Sequence, residues 1–332
     1  ASEYLSMTVP WARIREMRRA FIAFALHSFL VIAAVSFLGA CDRQKQASPQ
    51  PSTSAKSPRV VSLVPTASDI IEEIGAGDHL VAVSNYDVDP RTTSLPHVGD
   101  YLTTDWERIV PLQPQVIITQ YAPGRTPEGF SQRLTALGAT QVNIKVDRLD
   151  DIYGTILQLA DACGEHQKGI DARKKLQETI DAVRKRVANE PPVAALIVLG
   201  PDANSAAGSD TFFDDVLSAA GGKNVVAGMG MYPSLDREQL LTRQPQVIIQ
   251  LLPMAGPQVI EQAKASWQSM PQLPAVKNGR VVRLTEWYVM HSGYEVGTLA
   301  QRFAEILHPN LTTQSTQAST HPSTAPPSSP RP

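Results

Sequence analysis

The chain has 332 residues, of which 42% are hydrophobic and 19% are charged, and its formal net charge is −2 at pH 7. This composition excludes a disordered protein and allows two domains, because domains usually span about 100–200 residues. The nearly balanced charge provides no basic surface of the kind that nucleic-acid binding requires. Nucleic acid is therefore not an expected partner.

The first 41 residues carry the pattern of an export signal. Four arginines between positions 13 and 19 precede the apolar run 21–40, and residues 38–41 read LGAC. A run of this length also fits a permanent membrane-spanning helix. The LGAC ending resembles the lipobox of bacterial lipoproteins, in which the cysteine thiol carries a diacylglyceryl group. The resemblance predicts a signal peptide with lipobox over 1–41, lipidation of Cys41, and a periplasmic or extracytoplasmic protein that is anchored to the cell membrane by lipid.

Two further segments lack apolar periodicity. Residues 42–57 are rich in Ser, Pro, Gln and Lys and predict a flexible tether, whereas Ser, Thr and Pro dominate 309–332 and predict a disordered tail. If Cys41 carries lipid, no disulfide can form within the chain, because Cys163 is the single remaining cysteine. Cys163 is therefore expected to be a small core residue.

Between these segments, short β-branched runs alternate with helical patterns, which predicts parallel strands joined by crossover helices. Apolar residues within Glu165–Asn189 recur at helical spacing and predict one long amphipathic helix. The sequence thus predicts an N-terminal lobe over 58–148, a helical connector over 149–190 and a C-terminal lobe over 191–308. The expected strands are Val60–Leu63, Leu80–Ser84, Val116–Thr119, Val142–Val146, Ala195–Leu199, Asn224–Ala227, Val247–Leu251 and Val281–Leu284.

The hexapeptide QPQVII occurs twice, at Gln113–Ile118 and at Gln244–Ile249, 131 positions apart. The same offset pairs Glu107 with Glu238 upstream of the two copies. A proline just before a strand ends the preceding helix and leaves the pairing of the strand intact. The hexapeptide by itself therefore predicts a scaffold that is repeated in the two lobes.

Loops that follow the predicted strands are rich in Tyr and Trp. Because open α/β sheets bind ligands at the carboxyl ends of their strands, these loops are expected to line the ligand cleft. Aromatic rings with polar tips suit a large flat macrocycle with amide groups at its edge. The alternative for any single tyrosine is that it covers the core of its lobe. The candidates are Tyr86, Tyr101, Tyr121, Tyr232, Trp287 and Tyr288.

Motifs of the common enzyme classes do not occur: the sequence has no HExxH, no P-loop, no GxSxG and no GxGxxG after a predicted strand. The seven histidines do not cluster as zinc ligands would. His291, with Glu286 and Glu295 nearby, is the one acid and base group of interest, and a place on the rim of the cleft is the preferred interpretation. The chain is expected to be no enzyme and to carry no metal or cofactor of its own. A metal-handling enzyme or chelatase on the same fold is the alternative.

Five segments in the same order resemble the cobalamin, haem and siderophore binding proteins of bacterial ABC importers. They are RVVSLVPTASDI at 59–70, GAGD at 75–78, LPHVG at 95–99 and the two Glu-plus-QPQVII segments. The resemblance covers about Arg59–Leu307. It implies an α/β fold with two Rossmann-like lobes, each with a parallel sheet, joined by a single long connecting helix, with the ligand cleft between the lobes. It also implies an ABC permease and its ATPase as partners, and a monomer is expected.

Within that family, the resemblance is closest to the cobalamin-binding members. Tyr86, Tyr101 and Tyr232 fall where those members place aromatic cleft residues, and Glu286 falls where they place an acid. Haem-binding relatives often use a tyrosine just before the proline of the first-lobe loop, where this chain has DVDP at 87–90. The resemblance therefore implies cobalamin or a related corrinoid as the transported ligand. A ferric siderophore or haem is the alternative.

The paired glutamates have two interpretations. Thr104–Glu107 fits a capping box, in which Glu107 would accept a hydrogen bond from a backbone N–H. Leu235 stands in the place of Thr104 upstream of Glu238 and cannot cap, yet the acid is still present. In the resembled family, one exposed glutamate per lobe at this position meets arginines of the permease. The resemblance therefore implies a permease-docking role for Glu107 and Glu238.

Overall fold

The computed structural model describes residues 57–100 and 102–311. The first part of this range forms one parallel sheet of four strands, β1 (Val60–Ser62), β2 (Leu80–Ala82), β3 (Val116–Thr119) and β4 (Thr140–Asn143), in the order β2-β1-β3-β4. The connections carry α1 (Pro65–Glu73), α2 (Trp106–Ile109) and α3 (Phe130–Leu137). Short 3-10 turns at Gly77–His79 and Val110–Leu112 complete this first lobe.

Two helices follow the first sheet, α4 (Leu149–Cys163) and α5 (His166–Val187). Helix α5 has 22 residues and lies within the predicted range; at 1.5 Å per residue it is about 33 Å long. Its buried side chains repeat at helical spacing through Leu176, Ile180 and Val183. The predicted connecting helix is therefore present, between the two sheets in chain order. Cys163, at the end of α4, is buried as predicted.

The second lobe repeats the first sheet. Its strands are β5 (Val193–Leu199), β6 (Gly222–Asn224), β7 (Val247–Leu251) and β8 (Val281–Leu284), all parallel and in the order β6-β5-β7-β8. Its helices are α6 (Phe212–Ala219), α7 (Arg237–Arg243), α8 (Pro257–Gln268), α9 (Pro274–Lys277) and α10 (Val296–Leu307). The two copies of the hexapeptide supply β3 and β7, which hold the same place in separate sheets. The predicted two-lobed α/β class is confirmed.

The predicted bounds of five strands differ from the observed ones, most of all those of β4 and β6. Strand β4 pairs with β3 through 140–143, two residues before the predicted range 142–146, and β6 pairs with β5 through 222–224 where 224–227 was predicted. The prediction followed apolar residues, but Ile144, Val146 and Val226 are buried after their strands have ended. Hydrogen-bonded pairing and burial therefore do not coincide at these sheet edges.

The hexapeptide alternates between two kinds of core. Ile118 and Ile249 are fully buried in one continuous cluster that also includes residues of α4, α5 and α10. Ile117 and Ile248 point the other way, each into a smaller cluster that belongs to its own lobe. Burial on both faces is what a parallel sheet covered by helices requires. The apolar half of QPQVII thus ties each sheet to a shared core and to a core of its own.

The polar half of the hexapeptide has matching roles in the two lobes. Gln113 and Gln244 both adopt left-handed backbone angles, with φ of 45° and 48°, where the preceding helical turn ends. The side chain of Gln115 accepts a hydrogen bond from the Arg59 backbone N–H at 2.7 Å, and Gln246 accepts one from Ala194 at 3.1 Å. Each glutamine therefore fastens its strand to the start of the central strand. These contacts are those of a scaffold.

The predicted signal peptide, Cys41 and nearly all of the predicted tether and tail lie outside the described residues. Leu311 still packs against the shared core, three residues past the predicted end of the folded body. In the range 57–311, leaving aside residue 101, no helix combines the length and the apolar character that crossing a bilayer demands.

Candidate ligand cleft

A cleft of about 820 Å³ lies between the lobes, at the carboxyl ends of the strands. The loops after β1, β2 and β3 form one wall, and the loops after β7 and β8 form the other. This is the edge at which open α/β sheets bind ligands. Its volume is within the range of small-molecule sites, about 300–1,000 Å³.

Large apolar and aromatic side chains dominate the lining. Tyr86 is 54% exposed and Met254 68% exposed, although both are large apolar residues. Val88, Trp287 and Met290 line the same space. Contiguous exposed apolar surface in a concave site indicates ligand binding. Among the described residues that line the cleft, none is Asp, Glu, Lys or Arg.

Direct hydrogen bonds join the lobes at and beside the cleft. The hydroxyl groups of Thr66 and Ser292, one from each lobe, lie 3.2 Å apart and both line the cleft. Nearby, the fully buried Asp69 of the first lobe accepts a hydrogen bond from the Tyr294 backbone N–H of the second lobe at 2.7 Å. Gly293 is required there, because a Cβ at this position would collide with the Asp69 carboxylate. The relative placement of the two walls is therefore fixed by specific contacts.

Burial raises the pKa of Asp69 from 3.8 to about 7, against the opposing effects of the Tyr294 N–H and the Arg91 guanidinium. Arg91 donates to Asp69 at 2.9 Å and to Asp89 at 2.6 Å. Burial also acts to raise the pKa of Asp89, but hydrogen bonds from Arg91 outweigh it and lower that pKa. Arg91 therefore holds the loop after β2 against α1, which carries Asp69, and so supports the first wall of the cleft.

His291 is the one titratable imidazole on the cleft lining. Burial lowers its pKa, with the charges of Asp87 and Asp89 acting in the opposite direction. Its ring lies edge-on to Trp287 with 5.1 Å between the ring centroids, and its Nδ1 is buried with no hydrogen-bond partner. The imidazole is therefore mainly neutral at pH 7, the form in which a ring nitrogen can ligate a metal. The acids that influence the pKa of His291 are Asp87 and Asp89. Glu286 and Glu295, which are near it in the sequence, are not among them.

The predicted ligand-binding residues fall into separate places. Tyr86 and Trp287 line the cleft from opposite lobes. Tyr121 is 9% exposed, its ring packs edge-on against Phe130, and it borders a neighbouring cavity. Tyr232 is 53% exposed and does not border the cleft itself.

Of the remaining candidates, Glu286 and Tyr288 do not line the cleft and Tyr101 lies outside the described part of the chain. The Glu286 side chain accepts a hydrogen bond from the Thr285 backbone N–H at 2.9 Å and is half-buried. Tyr288 packs against the shared core. Tyr101 lies outside the described residues, so its predicted role stays a prediction.

Sequence reasoning missed several lining residues. Met254 and Met290 follow β7 and β8 closely, and Val88 and Gln120 follow β2 and β3. The signal was available, because each stands within a few residues of the end of a predicted strand. The search of those loops was restricted to Tyr and Trp, whereas thioether side chains serve equally well in adaptable apolar sites.

Glu107 and Glu238 occupy matching places in the two lobes. Each lies in the first turn of its helix, α2 or α7, and each is exposed. The helix caps are instead Asp105, which accepts from the Arg108 N–H at 3.1 Å, and Asp236, which accepts from the Gln239 N–H at 2.7 Å. The capping alternative for Glu107 is therefore wrong. Both glutamate side chains remain available to a partner.

A second large concavity, of about 730 Å³, lies along α4 and α5 away from the strand ends. Its basic residues are each paired with an acid of the same lining: Arg148 with Asp215 at 2.5 Å, Arg184 with Asp181 at 2.9 Å and Lys174 with Glu178 at 3.8 Å. Across residues 57–100 and 102–311, no three His, Cys, Asp or Glu side chains are grouped to hold a metal ion. The interlobe cleft is therefore the site with the character of a small-molecule binding site.

Residues 60–288 match the family model described as periplasmic binding protein. The vitamin B12-binding protein of Yersinia pestis (strain Pestoides F) is 29% identical over 218 residues, which are 65% of this chain and 75% of that protein. The solved periplasmic vitamin B12 binding protein of Vibrio cholerae has a TM-score of 0.63 and 27% identity, covering 78% of this chain and 99% of that one. The apo periplasmic heme-binding protein of Roseiflexus sp. RS-1 has a TM-score of 0.63 and 25% identity, covering 76% and 100%. With more than half of its length matched, and with two parallel sheets facing a common cleft, the chain belongs to the periplasmic binding protein family.

Proposed function

We propose that the chain is the substrate-binding component of an ABC importer, and that it captures cobalamin or a related corrinoid and delivers it to the permease. The observation that carries this proposal is the apolar, aromatic cleft between the lobes, with Tyr86 on one wall and Trp287 on the other. The vitamin B12-binding relatives from Yersinia pestis and Vibrio cholerae support the choice of ligand.

The cleft suits a broad macrocycle for physical reasons. Aromatic faces and thioether groups cover a large apolar surface without requiring a fixed hydrogen-bond pattern. The polar groups on the lining, which include Thr66, Gln120 and Ser292, can meet amides at the edge of the ring. With no carboxylate, guanidinium or ammonium group on the described lining, the cleft favours a ligand whose body carries little net charge.

Haem is the second candidate, and one feature of the cleft favours it. Met254, Met290 and His291 all line the cleft, and thioether sulfur and neutral imidazole are both axial ligands of haem iron. The similarity to the Roseiflexus haem-binding protein supports the same ligand. The absence of a tyrosine in the 87–90 segment therefore does not by itself exclude haem as the ligand.

Absorption spectroscopy and calorimetry with the full chain in detergent distinguish the ligands. We expect cyanocobalamin to bind in a 1:1 ratio and to be recovered chemically unchanged, whereas haem and ferrichrome bind at least about tenfold more weakly. Tighter binding of haem, accompanied by a Soret shift that His291→Ala abolishes, would replace corrinoid with haem as the ligand. Chemical conversion of a bound chelate would favour the metal-handling enzyme instead.

The exposed acids Glu107 and Glu238 are proposed to dock the two lobes onto arginines of the permease. Two separated carboxylates give a two-point electrostatic contact, which mainly sets orientation and the rate of encounter. In cells that express the cognate permease and ATPase, Glu107→Ala with Glu238→Ala is expected to abolish most uptake and to leave ligand affinity nearly unchanged. Tyr101→Ala and Tyr232→Ala are expected to do the reverse.

Exposed acids elsewhere provide the control for the docking test. Glu128 and Glu178 are also exposed, so Glu128→Ala with Glu178→Ala changes the net charge by the same amount. We expect this control pair to retain uptake. Equal losses in the two double variants would attribute the effect to total charge, and a loss of ligand affinity in the first pair would make those acids cleft or structural residues.

The chain is further proposed to act as a monomer anchored through lipid on Cys41, outside the cytoplasm. The LGAC sequence at 38–41 supports this assignment. Mass spectrometry of protein extracted from membranes is expected to show an N-terminal diacylglyceryl cysteine and no residue before it. An intact N-terminus, or lipid that persists in Cys41→Ala, would contradict the anchor.

A further inference from the structure

The interlobe cleft has a neighbour that shares one of its residues. A smaller cavity, of about 470 Å³, is lined by Gln120, which also lines the cleft. This cavity, here called the polar chamber, is formed by the loop after β3 and by the end of β4 with the residues that follow it. It therefore opens at the same carboxyl edge of the first sheet.

The two spaces differ in chemistry. Side chains with hydrogen-bonding groups line the polar chamber, including Thr126, Gln141 and Lys145. Lys145 is paired with Asp151 at 2.9 Å and lies 3.8 Å from Asp147, which also lines the chamber. By contrast, the cleft presents Val88, Met254 and Trp287. The chamber is the more polar of the two spaces, so a ligand that spans both is expected to carry more hydrogen-bonding groups at the end that enters the chamber.

The wall of the polar chamber is held by side-chain hydrogen bonds that centre on Asn143, an exposed residue at the end of β4. The Asn143 side chain accepts from the Tyr121 backbone N–H at 2.7 Å and donates to the Tyr121 carbonyl at 3.0 Å. The Thr119 hydroxyl donates to the same Asn143 oxygen at 2.8 Å, and Gln141 donates to Thr119. With its backbone fixed in this way and its ring packed on Phe130, Tyr121 forms a preorganised surface. Because this wall is already ordered, ligand binding does not incur the entropy cost of ordering it.

One tyrosine of the second lobe, Tyr232, is influenced by a charge of the polar chamber without lining it. Burial raises the pKa of the Tyr232 phenol, and the charge of Asp147 raises it further, so the two side chains lie within electrostatic range. Tyr232 is 53% exposed, although Asp147 belongs to the lining of the polar chamber in the first lobe. The aromatic residues singled out in the sequence are thus not confined to one space. Tyr86 and Trp287 line the cleft and Tyr121 lines the polar chamber, whereas Tyr232 lines neither space.

We infer that the polar chamber receives a polar arm of the same ligand whose flat apolar body fills the cleft, with Gln120 at the junction. Resting on the corrinoid-binding function proposed above, this inference specifies the substrate class as a complete corrinoid that carries its nucleotide arm. The arm of such a ligand has amide, hydroxyl and phosphodiester groups, which suit the donors and acceptors of the chamber. A macrocycle without such an arm would leave the polar chamber filled with water.

Two corrinoid probes with the same ring test the inference. Cyanocobalamin carries the nucleotide arm, and dicyanocobinamide lacks it. Calorimetry with the full chain in detergent is expected to show cyanocobalamin binding about tenfold or more tightly than dicyanocobinamide. Ala122→Trp and Thr126→Trp, each at an exposed position that lines the chamber, are expected to remove that advantage and to leave dicyanocobinamide affinity within about twofold. Ala136→Trp, exposed on α3 outside both spaces, is the matched control and should change neither affinity.

The outcomes separate this inference from the function on which it rests. Equal affinities of the unsubstituted chain for the two corrinoids would overturn the role of the polar chamber while leaving corrinoid binding in place. Tryptophan variants that weaken the binding of both probes equally would also overturn the role of the polar chamber. Binding of neither corrinoid would overturn the proposed function and the inference with it.

Discussion

The two lobes place the same hexapeptide at the same position of their sheets, yet the chain leaves those strands with different chemistry. After β3 come Gln120 and Tyr121, which border the polar chamber, whereas after β7 come Pro253 and Met254, which border the apolar cleft. The glutamine contacts that fasten β3 and β7 are the same in both lobes. The two lobes thus share the same strand scaffold, whereas the loops at the ends of β3 and β7 differ and make the site asymmetric.

The largest expected effect tests whether the lobes fold as one unit. Ile118→Ala and Ile249→Ala each open a cavity in the core cluster that spans both lobes, at a cost of about 2–5 kcal/mol in the free energy of unfolding. Because the cluster is continuous, either variant is expected to lower the midpoint of a single denaturation transition, measured by circular dichroism in urea. Two separate transitions, of which each variant moves one, would show that the lobes unfold independently.

The next effect concerns the two walls of the cleft. Trp287→Ala removes a large ring from the second wall and is expected to weaken binding of cyanocobalamin by about thirtyfold, or about 2 kcal/mol. Tyr86→Ala on the first wall should cost less, because the side chain is smaller and 54% exposed. Val110→Ala, an exposed apolar position outside the cleft, serves as the control. If calorimetry showed Tyr86→Ala to be the more damaging change, the first lobe would carry most of the binding energy.

The contact between the lobes should respond to pH through Asp69. Its pKa in the folded protein is about 7, above the usual 3.8, so the folded state holds a proton that the unfolded chain has released in this range. The stability contributed by Asp69 is therefore complete below about pH 4 and is lost as the pH rises towards 7. Melting temperatures between pH 5 and pH 8 should fall more steeply with pH in the unsubstituted chain than in Asp69→Asn, which can still accept from Tyr294. Parallel profiles would mean that Arg91 keeps the Asp69 carboxylate charged throughout.

The smallest effect probes how closely the two scaffolds match. Gln115→Ala and Gln246→Ala each remove one side-chain acceptor of a backbone N–H, at an expected cost of about 1 kcal/mol. The two losses should agree within experimental error, since the contacts are equivalent. Urea denaturation measures both. A loss of stability in one variant alone would show that the two glutamines, although they occupy the same place in the repeat, contribute differently to the free energy of unfolding.

Much of the fold could be predicted because it depends on local pattern. Short β-branched runs located all eight strands, and helical spacing located α5. The bounds of β4 and β6 were missed because apolar residues report burial, whereas pairing depends on the neighbouring strand. At Thr140 and Gly222 the chain is already paired although neither residue is apolar.

The site was harder to predict, for a reason that is also physical. The rule that ligands bind at strand ends led to Tyr86 and Trp287, but it could not show that Tyr121 lines a separate space or that Tyr232 lines neither. The Asp69 contact with Tyr294 joins residues 225 positions apart through a backbone N–H, which leaves no side-chain signature in the sequence. Contacts of that kind become visible only when the two lobes are brought together.

The core cluster shared by both sheets also bears on the timing of transport. A binding protein whose lobes rotate freely can trap its cargo by closing over it, and the closing motion then controls release. Here α5 and the strands on either side of it bury their side chains in one continuous interior, which leaves little freedom for such rotation. Escape of the cargo should then follow the strength of its own contacts, as an ordinary dissociation rate. If the proposed permease unloads the cargo rapidly, it is expected to do so by pushing the lobes apart against their common interior.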